Sequence, residues 1–531
     1  MSRMEKKTFV KGAVILGIAG LIVQIMGAVF RIPLANIIGP KGMGYFQTAY
    51  PIYVFLLVFS TNGAPAAISK MTAERLALGK KREAHLVFKS SFILMAIIGA
   101  VAFLLIFFFA EGIVSQVGDK GAVLAMKAIS PALLFVPIMS VYRGYFQGMQ
   151  NMVPTASSQL IEQGVRVIVG LSLAIILVNK SISWAAAGAT LGTSVGPVAG
   201  VLFLMILYQL KHPVIDSEER ITESKGRIIL TLLKISVPVT IGISIIPIIN
   251  IGDLLIVMNR LKAIGFTMEQ ANMMYGQLTG MAGPIINIPM AMALSMALAI
   301  VPAVASASAA GDKELLSKNI GLGFRTAMIV GVPTSLGLIL LAEPIMLLLY
   351  PMEKESAIYA SGSLAFLAAG VIFLCVAQTM AGILQGLGRP GTAVFTLGVS
   401  FLVKIIFTWI LTGVETLNIE GAALGSSLAF FTVGILNYYM VKRISGFAFE
   451  WRVSAVKPII SGIAMFIAAG IFYNVFDGII GNAPSVLLAV LLGALIYTAV
   501  LVKIKGITEK ELAAFPKGNV ILRFLKAMKL M

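Results

Sequence analysis

Charge is scarce in this 531-residue chain. Charged residues make up 12% of it, whereas hydrophobic residues make up 58%. A soluble domain carries roughly 25% charged residues, so the composition excludes an ordinary water-soluble fold. The mean hydropathy of +0.96 agrees with this. The composition therefore predicts an all-α protein whose helices cross a membrane many times.

Cysteine and histidine are nearly absent. The single cysteine, Cys375, lies in an apolar run, which excludes a disulfide framework and a cysteine metal site. The two histidines, His85 and His212, are predicted to be solvated residues of basic loops. The chain has no GxxxxGKS/T, GxSxG or HExxH motif. We therefore predict neither an ATPase nor another enzyme, and no cofactor. An intramembrane enzyme acting on a lipid phosphate stays open as a third hypothesis.

Apolar runs fill the chain instead. Each is close to the ~20 residues that a helix needs to cross the hydrocarbon of a bilayer. We count about fourteen such runs, so we predict about fourteen transmembrane helices. They lie at residues 10–33, 46–68, 88–110, 122–146, 156–178, 184–208, 230–258, 278–305, 320–341, 362–385, 391–413, 419–441, 456–476 and 484–502.

The basic residues are concentrated in alternate loops. The net charge is +18, and groups such as Lys80, Lys81 and Arg82 occur between every second pair of apolar runs. Cytoplasmic loops of membrane proteins carry the excess of lysine and arginine. We therefore predict that both termini are cytoplasmic. The basic excess reflects topology and contact with anionic lipids, so no nucleic-acid partner is predicted.

The sequence contains a long internal repeat. The segment YRGYFQGMQNMVPTASSQLIEQGVRV, from Tyr142, aligns with MAGILQGLGRPGTAVFTLGVSFLVKI, from Met380. In this alignment Arg166 corresponds to Lys404. A second echo pairs GATLGTS, from Gly188, with GAALGSS, from Gly421. A duplicated membrane bundle that retains charge at a repeated position is typical of a transporter.

The repeat predicts the domain organisation. We expect a six-helix lobe at residues 1–210, a cytoplasmic linker at 211–227 and a second six-helix lobe at 228–445. Residues 446–531 then add two unrepeated transmembrane helices and a cytoplasmic tail. Because both halves begin and end on the same side, a pseudo-two-fold axis along the membrane normal is expected to relate them.

Charged residues inside apolar runs are costly and are usually partnered or face water. Glu162 and Arg166 are four residues apart, so they share a helix face and can pair. One interpretation is a structural ion pair. The other, which we favour, is a polar stripe facing a cavity, because Arg166 and Lys404 would approach one anion from both halves. The predicted substrate-binding residues are Arg31, Arg143, Glu162, Arg166, Lys404 and Gln277.

Two further polar residues suggest a cation. Asp253 and Asn250 lie one turn apart in the seventh run, and hard oxygen ligands suit a coupling cation such as sodium. The alternative is an aspartate neutralised by Arg31 or Lys404. The role of Arg143 is equally open, since this residue can be a snorkelling anchor or a substrate contact.

The motifs FRIPLANIIGPKGMGYF, GAPAAISK, RGYFQGMQNMVPTASSQLIEQGVRV and YGQLTG resemble the MurJ and stage V sporulation protein B branch of the multidrug/oligosaccharidyl-lipid/polysaccharide (MOP) exporter superfamily. The resemblance covers nearly the whole chain. It implies two six-helix lobes in a MATE-like V, a central cationic cavity, and a lipid-tail groove formed by two extra C-terminal helices. It also implies a bacterial cytoplasmic membrane protein that flips undecaprenyl-linked cell-wall precursors.

The resemblance carries over to Arg31, Glu162, Arg166 and Asp253, which match positions of the sporulation branch. The Gram-negative MurJ type has other arginines that this chain lacks, for example at Gln24 and Phe30, so the resemblance does not single out lipid II.

We therefore predict a monomeric flippase for a polyprenyl-diphosphate-linked saccharide, either lipid II or a related oligosaccharide. It would work by alternating access, with sodium or a proton as coupling cation and with membrane lipids as partners. The alternative is a MATE-type multidrug/cation antiporter. The basic residues and the two additional spans argue against that alternative.

Overall fold

The computed structural model describes residues 3–117, 119–211, 223–447 and 449–507, and every regular element in these ranges is helical. The predicted all-α class is confirmed. Packing divides the chain into two compact units, Met1–Gly280 and Met281–Met531, here called unit 1 and unit 2. The predicted domain boundaries rest on the sequence repeat rather than on packing, and they stay a prediction.

Unit 1 begins with a long helix and contains nine helices within the described residues. Short turns of π-helix at Phe59–Gly63 and of 3₁₀-helix at Lys120–Ala122 interrupt the series. The helices are α1 (Arg3–Val58), α2 (Ala64–Ala77), α3 (Lys81–Val117), α4 (Val123–Ile129), α5 (Ala132–Gly148), α6 (Val153–Leu177), α7 (Ile182–Lys211), α8 (Lys225–Ala263) and α9 (Met268–Tyr275).

A π-helical turn, Gly276–Ala282, leads from α9 into unit 2. Another π-helical turn, Arg452–Val456, precedes the last two helices. The helices of unit 2 are α10 (Gly283–Ala309), α11 (Lys313–Leu340), α12 (Ala342–Leu349), α13 (Lys354–Ala369), α14 (Val371–Gly386), α15 (Pro390–Thr412), α16 (Asn418–Ser445), α17 (Lys457–Ile480) and α18 (Asn482–Lys503).

Within the described residues, twelve helices are long and apolar enough to cross a membrane, or up to thirteen when α13 and α14, bent by 42°, form one span. The chain is thus a multi-pass membrane protein. One candidate span, Ile15–Val58 in α1, has 44 residues. At 1.5 Å per residue it would be about 66 Å long, twice the hydrocarbon thickness. Gly39, with φ of 66°, breaks it between the first two predicted spans, which accounts for the fourteenth.

The second repeated segment, GATLGTS and GAALGSS, packs closely against the preceding helix in each repeat. In α7, a Cβ on Gly188 would lie 2.9 Å from the Leu173 carbonyl carbon, and one on Gly192 would lie 2.6 Å from Gly170 Cα. In α16, Gly421 and Gly425 approach the backbone of α15 in the same way. Glycines four residues apart let two helix backbones touch. The repeat therefore preserves a packing contact, α6 with α7 and α15 with α16.

His85 differs from its prediction. It lies in the first turns of α3 rather than in a loop, and its Nδ1 is 2.8 Å from the Tyr208 hydroxyl. Phe88 and Tyr208 stack beside it, with ring centroids 4.6 Å apart. The apolar surroundings of α3, α5 and α7 hold the imidazole in this aromatic cluster.

Parts of the sequence predictions lie outside the described residues. These are His212, most of the linker at 211–227 and the tail after residue 507. At the described end of the linker, the Ser224 hydroxyl accepts a hydrogen bond from the Arg227 amide and caps α8. Glu223 forms an ion pair with Arg75, which is 8% exposed.

Candidate functional site

Unit 1 contains a polar cavity of about 340 Å³ between α1, α5 and α6. Its charged wall comes from α5 and α6, and its aromatic wall comes from α1. Water-filled cavities of this kind are where membrane proteins keep charged side chains. The cavity is lined by Gly20, Val23, Tyr50, Tyr53, Val54, Leu57, Thr61, Arg143, Gln159, Glu162, Gln163 and Arg166.

The α6 stripe forms because Gln159, Glu162, Gln163 and Arg166 recur at helical spacing and share one face. The other face of α6 packs on glycines of α7. A Cβ on Gly196 would lie 2.6 Å from the Glu162 carbonyl oxygen, and one on Gly192 would lie 2.7 Å from that of Arg166. Close backbone packing on one side therefore directs the polar side chains to the cavity.

Glu162 pairs with Arg143 rather than with the Arg166 suggested by the sequence spacing. An Arg143 terminal nitrogen, Nη2, donates to Glu162 Oε2 at 2.8 Å, and its Nε donates to Ser158 Oγ at 2.9 Å. The Ser158 hydroxyl in turn donates to the Thr155 carbonyl at 2.8 Å. Arg143 reaches across from α5 and pairs with the carboxylate through one charge-assisted hydrogen bond. Arg143 is thus a cavity residue, and Arg166 is left to other contacts.

Arg166 and Arg31 both lie near the ring of Tyr50. Their guanidinium carbons are 5.4 Å and 5.7 Å from its centroid, within the range of a cation–π interaction. Tyr50 also stacks on Phe46, with centroids 5.7 Å apart. Arg166 Nε is buried and has no hydrogen-bond partner among the described residues. Two cations thus lie near one aromatic ring, and Arg166 offers a donor, which suits an anionic group.

Tyr50 and Tyr53 are cavity residues that the sequence analysis missed. The available signal was their spacing, because Phe46, Tyr50 and Tyr53 recur at helical intervals and fall on one face of α1. Thirteen tyrosines occur in the chain, however, and only the approach of α6 distinguishes these two.

The remaining predicted site residues lie elsewhere. Gln277 is buried in the π-helical turn after α9, and Lys404 lies on α15 in unit 2. The convergence of Arg166 and Lys404 on one anion therefore stays a prediction. Asp253 is half-buried on α8, whereas Asn250 is exposed. No group of three or more His, Cys, Asp or Glu side chains that could hold a metal occurs in the described ranges, so the cation site also stays a prediction.

Unit 2 contains an apolar groove of about 480 Å³ between α10, α11, α12, α17 and α18. Met465, Ala469 and Gly493 contribute to its wall from the two unrepeated helices. These helices pack on α11, where the buried Tyr497 hydroxyl donates to the Ile329 carbonyl at 3.0 Å. The additional helices therefore build a surface that a twelve-helix core would lack.

A many-helix membrane protein with a charged cavity in one unit and an apolar groove in another is a membrane transporter. The chain belongs to the polysaccharide biosynthesis protein family, whose sequence model matches residues 9–308. The MatE family model matches residues 279–410. The predicted resemblance to the MurJ and stage V sporulation protein B branch of the MOP superfamily is confirmed by individual relatives.

Two relatives from Bacillus subtilis (strain 168) cover almost the whole chain. Stage V sporulation protein B is 27% identical over 98% of this chain and 100% of its own length. Lipid II flippase MurJ is 26% identical over 92% of this chain and 94% of its own length. A solved lipid II flippase MurJ in an inward closed conformation superposes with a TM-score of 0.71. It shares 16% identity and covers 92% of this chain and 98% of that one. The solved structure supports the fold.

Proposed function

We propose that this chain moves a polyprenyl-diphosphate-linked saccharide, lipid II or a related oligosaccharide, across the bacterial cytoplasmic membrane by alternating access. The observation that carries the proposal is the pair of cations, Arg31 and Arg166, near the ring of Tyr50, which lines the cavity of unit 1. A diphosphate needs charge-assisted donors when it leaves water. Lys404, at the repeat-equivalent position, would supply a further cation.

The apolar groove of unit 2 supports a lipid rather than a water-soluble substrate. A polyprenyl chain has to stay in apolar surroundings while its head group crosses. Gly337 and Gly493 leave room in the groove, and its other walls are mostly aliphatic. Because lipid tails are as apolar as the groove, the groove gains no transfer energy from water; it would hold the chain by van der Waals packing along its walls.

The remaining parts of the cycle are proposals of the same kind. Asp253 and Asn250 would bind the coupling cation, sodium or a proton, and Gln277 and the Arg143–Glu162 pair would contact the head group. The basic loops place both termini in the cytoplasm. The partners are the substrate and membrane lipids, and the protein works as a monomer without nucleic acid. The flippase relative supports a transporter rather than an enzyme.

The test is a flipping assay in proteoliposomes with a lipid-diphosphate saccharide, comparing Arg166→Ala with Arg166→Lys. We expect at least a ten-fold loss for Arg166→Ala and partial retention for Arg166→Lys. Lys180→Ala is the control, because Lys180 lies 5.4 Å from the Trp184 ring outside the cavity. Normal flipping by well-folded Arg166→Ala would reject the cation cluster as the diphosphate site.

The match of the MatE model to residues 279–410 favours a second candidate, a multidrug/cation antiporter. A cationic drug would be repelled by Arg31 and Arg166, so this candidate requires a different binding site. Depletion in cells separates the two functions. Accumulation of a lipid-linked saccharide on the cytoplasmic side supports the flippase, and drug sensitivity without accumulation supports the antiporter.

A further inference from the structure

The YGQLTG motif, singled out in the sequence, forms a close helix contact within unit 1. Residues 40–47 of α1 contact residues 269–280 of α9 and the following π-helical turn, and we call this contact the α1–α9 junction. A Cβ on Gly276 would overlap the Pro40 carbonyl, and one on Gly280 would lie 2.8 Å from Met43 Cβ. Two glycines four residues apart permit this approach. The junction joins the first repeat to the second.

Polar contacts complete the junction. The Asn272 side-chain amide donates to the Lys41 carbonyl at 2.9 Å, and the Gln47 amide donates to the Thr279 carbonyl at 2.7 Å. At its exposed edge, Lys41 Nζ lies 2.6 Å from Glu269 Oε1. The two repeats are therefore held together here by polar contacts as well as by the close glycine packing.

A second carboxylate, that of Asp119, lies near the same segment of α1, because Gly121, two residues further on, contacts Tyr45, about one helical turn from Lys41. Asp119 is 7% exposed and precedes the 3₁₀ turn that packs on α1. Its Oδ1 accepts a hydrogen bond from the Gly121 amide at 3.1 Å. Its Oδ2 is buried and has no hydrogen-bond partner in the part of the chain that the structure describes. Burial raises the pKa of Asp119 to about 6, and the charge of Lys41 opposes that rise.

The charged groups around Asp119 are few. Lys41 attracts it and Glu269 repels it, while Lys120 neighbours it in sequence and Tyr45 lies against Gly121. The turn also packs on α3, α4 and α7. On those elements Glu111 and Lys127 pair with each other at 3.0 Å, and Lys180, just before α7, lies over Trp184. Lys41 is thus the cation that forms an ion pair with Glu269 and also attracts Asp119.

We propose that Lys41 exchanges between two carboxylates, pairing with Glu269 when the α1–α9 junction is closed and with Asp119 when it is open. The exchange rests on the alternating access of the proposed function. When α9 leaves α1, Lys41 loses Glu269. Asp119 stays, because it belongs to the first repeat and packs on α1. Its free oxygen then receives the lysine, so that Lys41 has a carboxylate partner in both states, while Glu269, whose side chain is 61% exposed, is left to water in the open one.

The exchange predicts a pH dependence of opening. In the closed state the ionised form of Asp119 is disfavoured by burial and by Glu269. In the open state Lys41 stabilises that ionised form. Raising the pH through about 6 therefore favours the open junction, and lowering it favours the closed one.

The test measures how fast a cysteine at the buried Met43 reacts with a membrane-impermeant maleimide, in full-length protein reconstituted in liposomes. Cys375→Ala removes the native thiol, and Met43→Cys places the probe under Gly280. Dividing each rate by that of the Asp119→Asn variant at the same pH cancels the intrinsic pH dependence of the thiol. We expect this ratio to rise roughly two- to five-fold between pH 5 and 7.5.

Glu269→Gln should increase the Met43→Cys rate at every pH, roughly two- to five-fold, because it removes the ion pair of the closed state. The matched control is Glu111→Gln, which breaks another exposed pair of unit 1 at 3.0 Å and should leave the rate unchanged. A flat ratio, an unaffected Glu269→Gln rate, or equal effects of both substitutions would overturn the exchange. No lipid substrate is used, so a different cargo would leave these results standing.

Discussion

Glu162 has two arginines within reach, and it pairs with the one on the neighbouring helix. Arg143 satisfies it from α5 at 2.8 Å, with Ser158 completing the contact. Arg166, one turn further along α6, lies instead over Tyr50. Arg143 and Glu162 therefore neutralise each other, and the guanidinium of Arg166 stays available. The net charge of these three side chains is the same in either pairing, but in the observed one the cation without a carboxylate partner among the described residues lies on α6, near Tyr50, rather than on α5.

The Arg143–Glu162 pair should stabilise the folded protein as well as line the cavity. Arg143→Met leaves a partly buried carboxylate without its cation, and we expect a loss of about 1–3 kcal/mol in the free energy of unfolding. The double variant Arg143→Met/Glu162→Leu should recover most of it. Thermal unfolding in detergent measures both changes. The exposed Lys70–Glu74 pair, 3.9 Å apart, is the control and should contribute almost nothing. A double variant as unstable as the single one contradicts this account.

Asp119 gives a pH dependence of stability with a defined sign. Its folded-state pKa of about 6 lies above its ordinary value of 3.8. The stability it contributes is therefore present in full below about pH 3.8 and is lost as the pH rises through 6. Asp119→Asn should raise the free energy of unfolding at pH 8 by on the order of 2 kcal/mol, and the melting temperature with it. The two proteins should converge at pH 4. Equal melting temperatures at pH 8 would mean that the carboxylate is not penalised.

Helix pairing sets the positions of the site residues. Gly192 and Gly196 of α7 touch the α6 backbone at Arg166 and Glu162. Any added methyl group there pushes α6 away from α7 and shifts both side chains relative to Tyr50.

Gly192→Ala should therefore destabilise unit 1 by about 1–3 kcal/mol and reduce flipping more than expression. The matched control is Gly164→Ala on α6 itself, where an added Cβ meets nothing within 4 Å. That change should be neutral or stabilising by up to about 1 kcal/mol. Unfolding midpoints and flipping rates of the two variants decide the matter, and similar behaviour would show that the α6–α7 contact has room to adjust.

The helices themselves were predictable because apolar runs of bilayer length have one physical solution, a helix with its backbone groups satisfied internally. The polar stripe of α6 followed from the same periodicity. The partner of Glu162 did not, since α5 and α6 approach each other through packing that no local pattern encodes. Tyr50 was missed for that reason, and His85 was misplaced because its basic neighbours resembled a loop.

The first two spans show the same limit. Both apolar runs are helical, yet no loop separates them: they follow one another within α1, which is kinked at Gly39. A glycine before a proline indicates a turn or a kink equally well, and only the surrounding helices decide between them.

For the whole molecule, we predict that deleting residues after 450 leaves a core that still inserts. Lipid can cover the face of α11 that α17 and α18 now occupy. The truncated protein should lose flipping, because Met465, Gly493 and Tyr497 of the groove are gone. Expression and detergent extraction measure insertion, and the flipping assay measures transport. Full activity of a well-expressed truncation would remove the groove from the cycle and favour the antiporter.

The polar cavity lies in unit 1, whereas the apolar groove lies in unit 2 and is lined in part by the unrepeated helices α17 and α18. Under the proposed function, different parts of the chain thus serve the saccharide-phosphate end and the hydrocarbon end of one molecule. Mutations that adapt the protein to a new sugar would then accumulate in one part of the gene, and those that adapt it to a new chain length in the other. Recombination between paralogues could exchange one trait and leave the other intact.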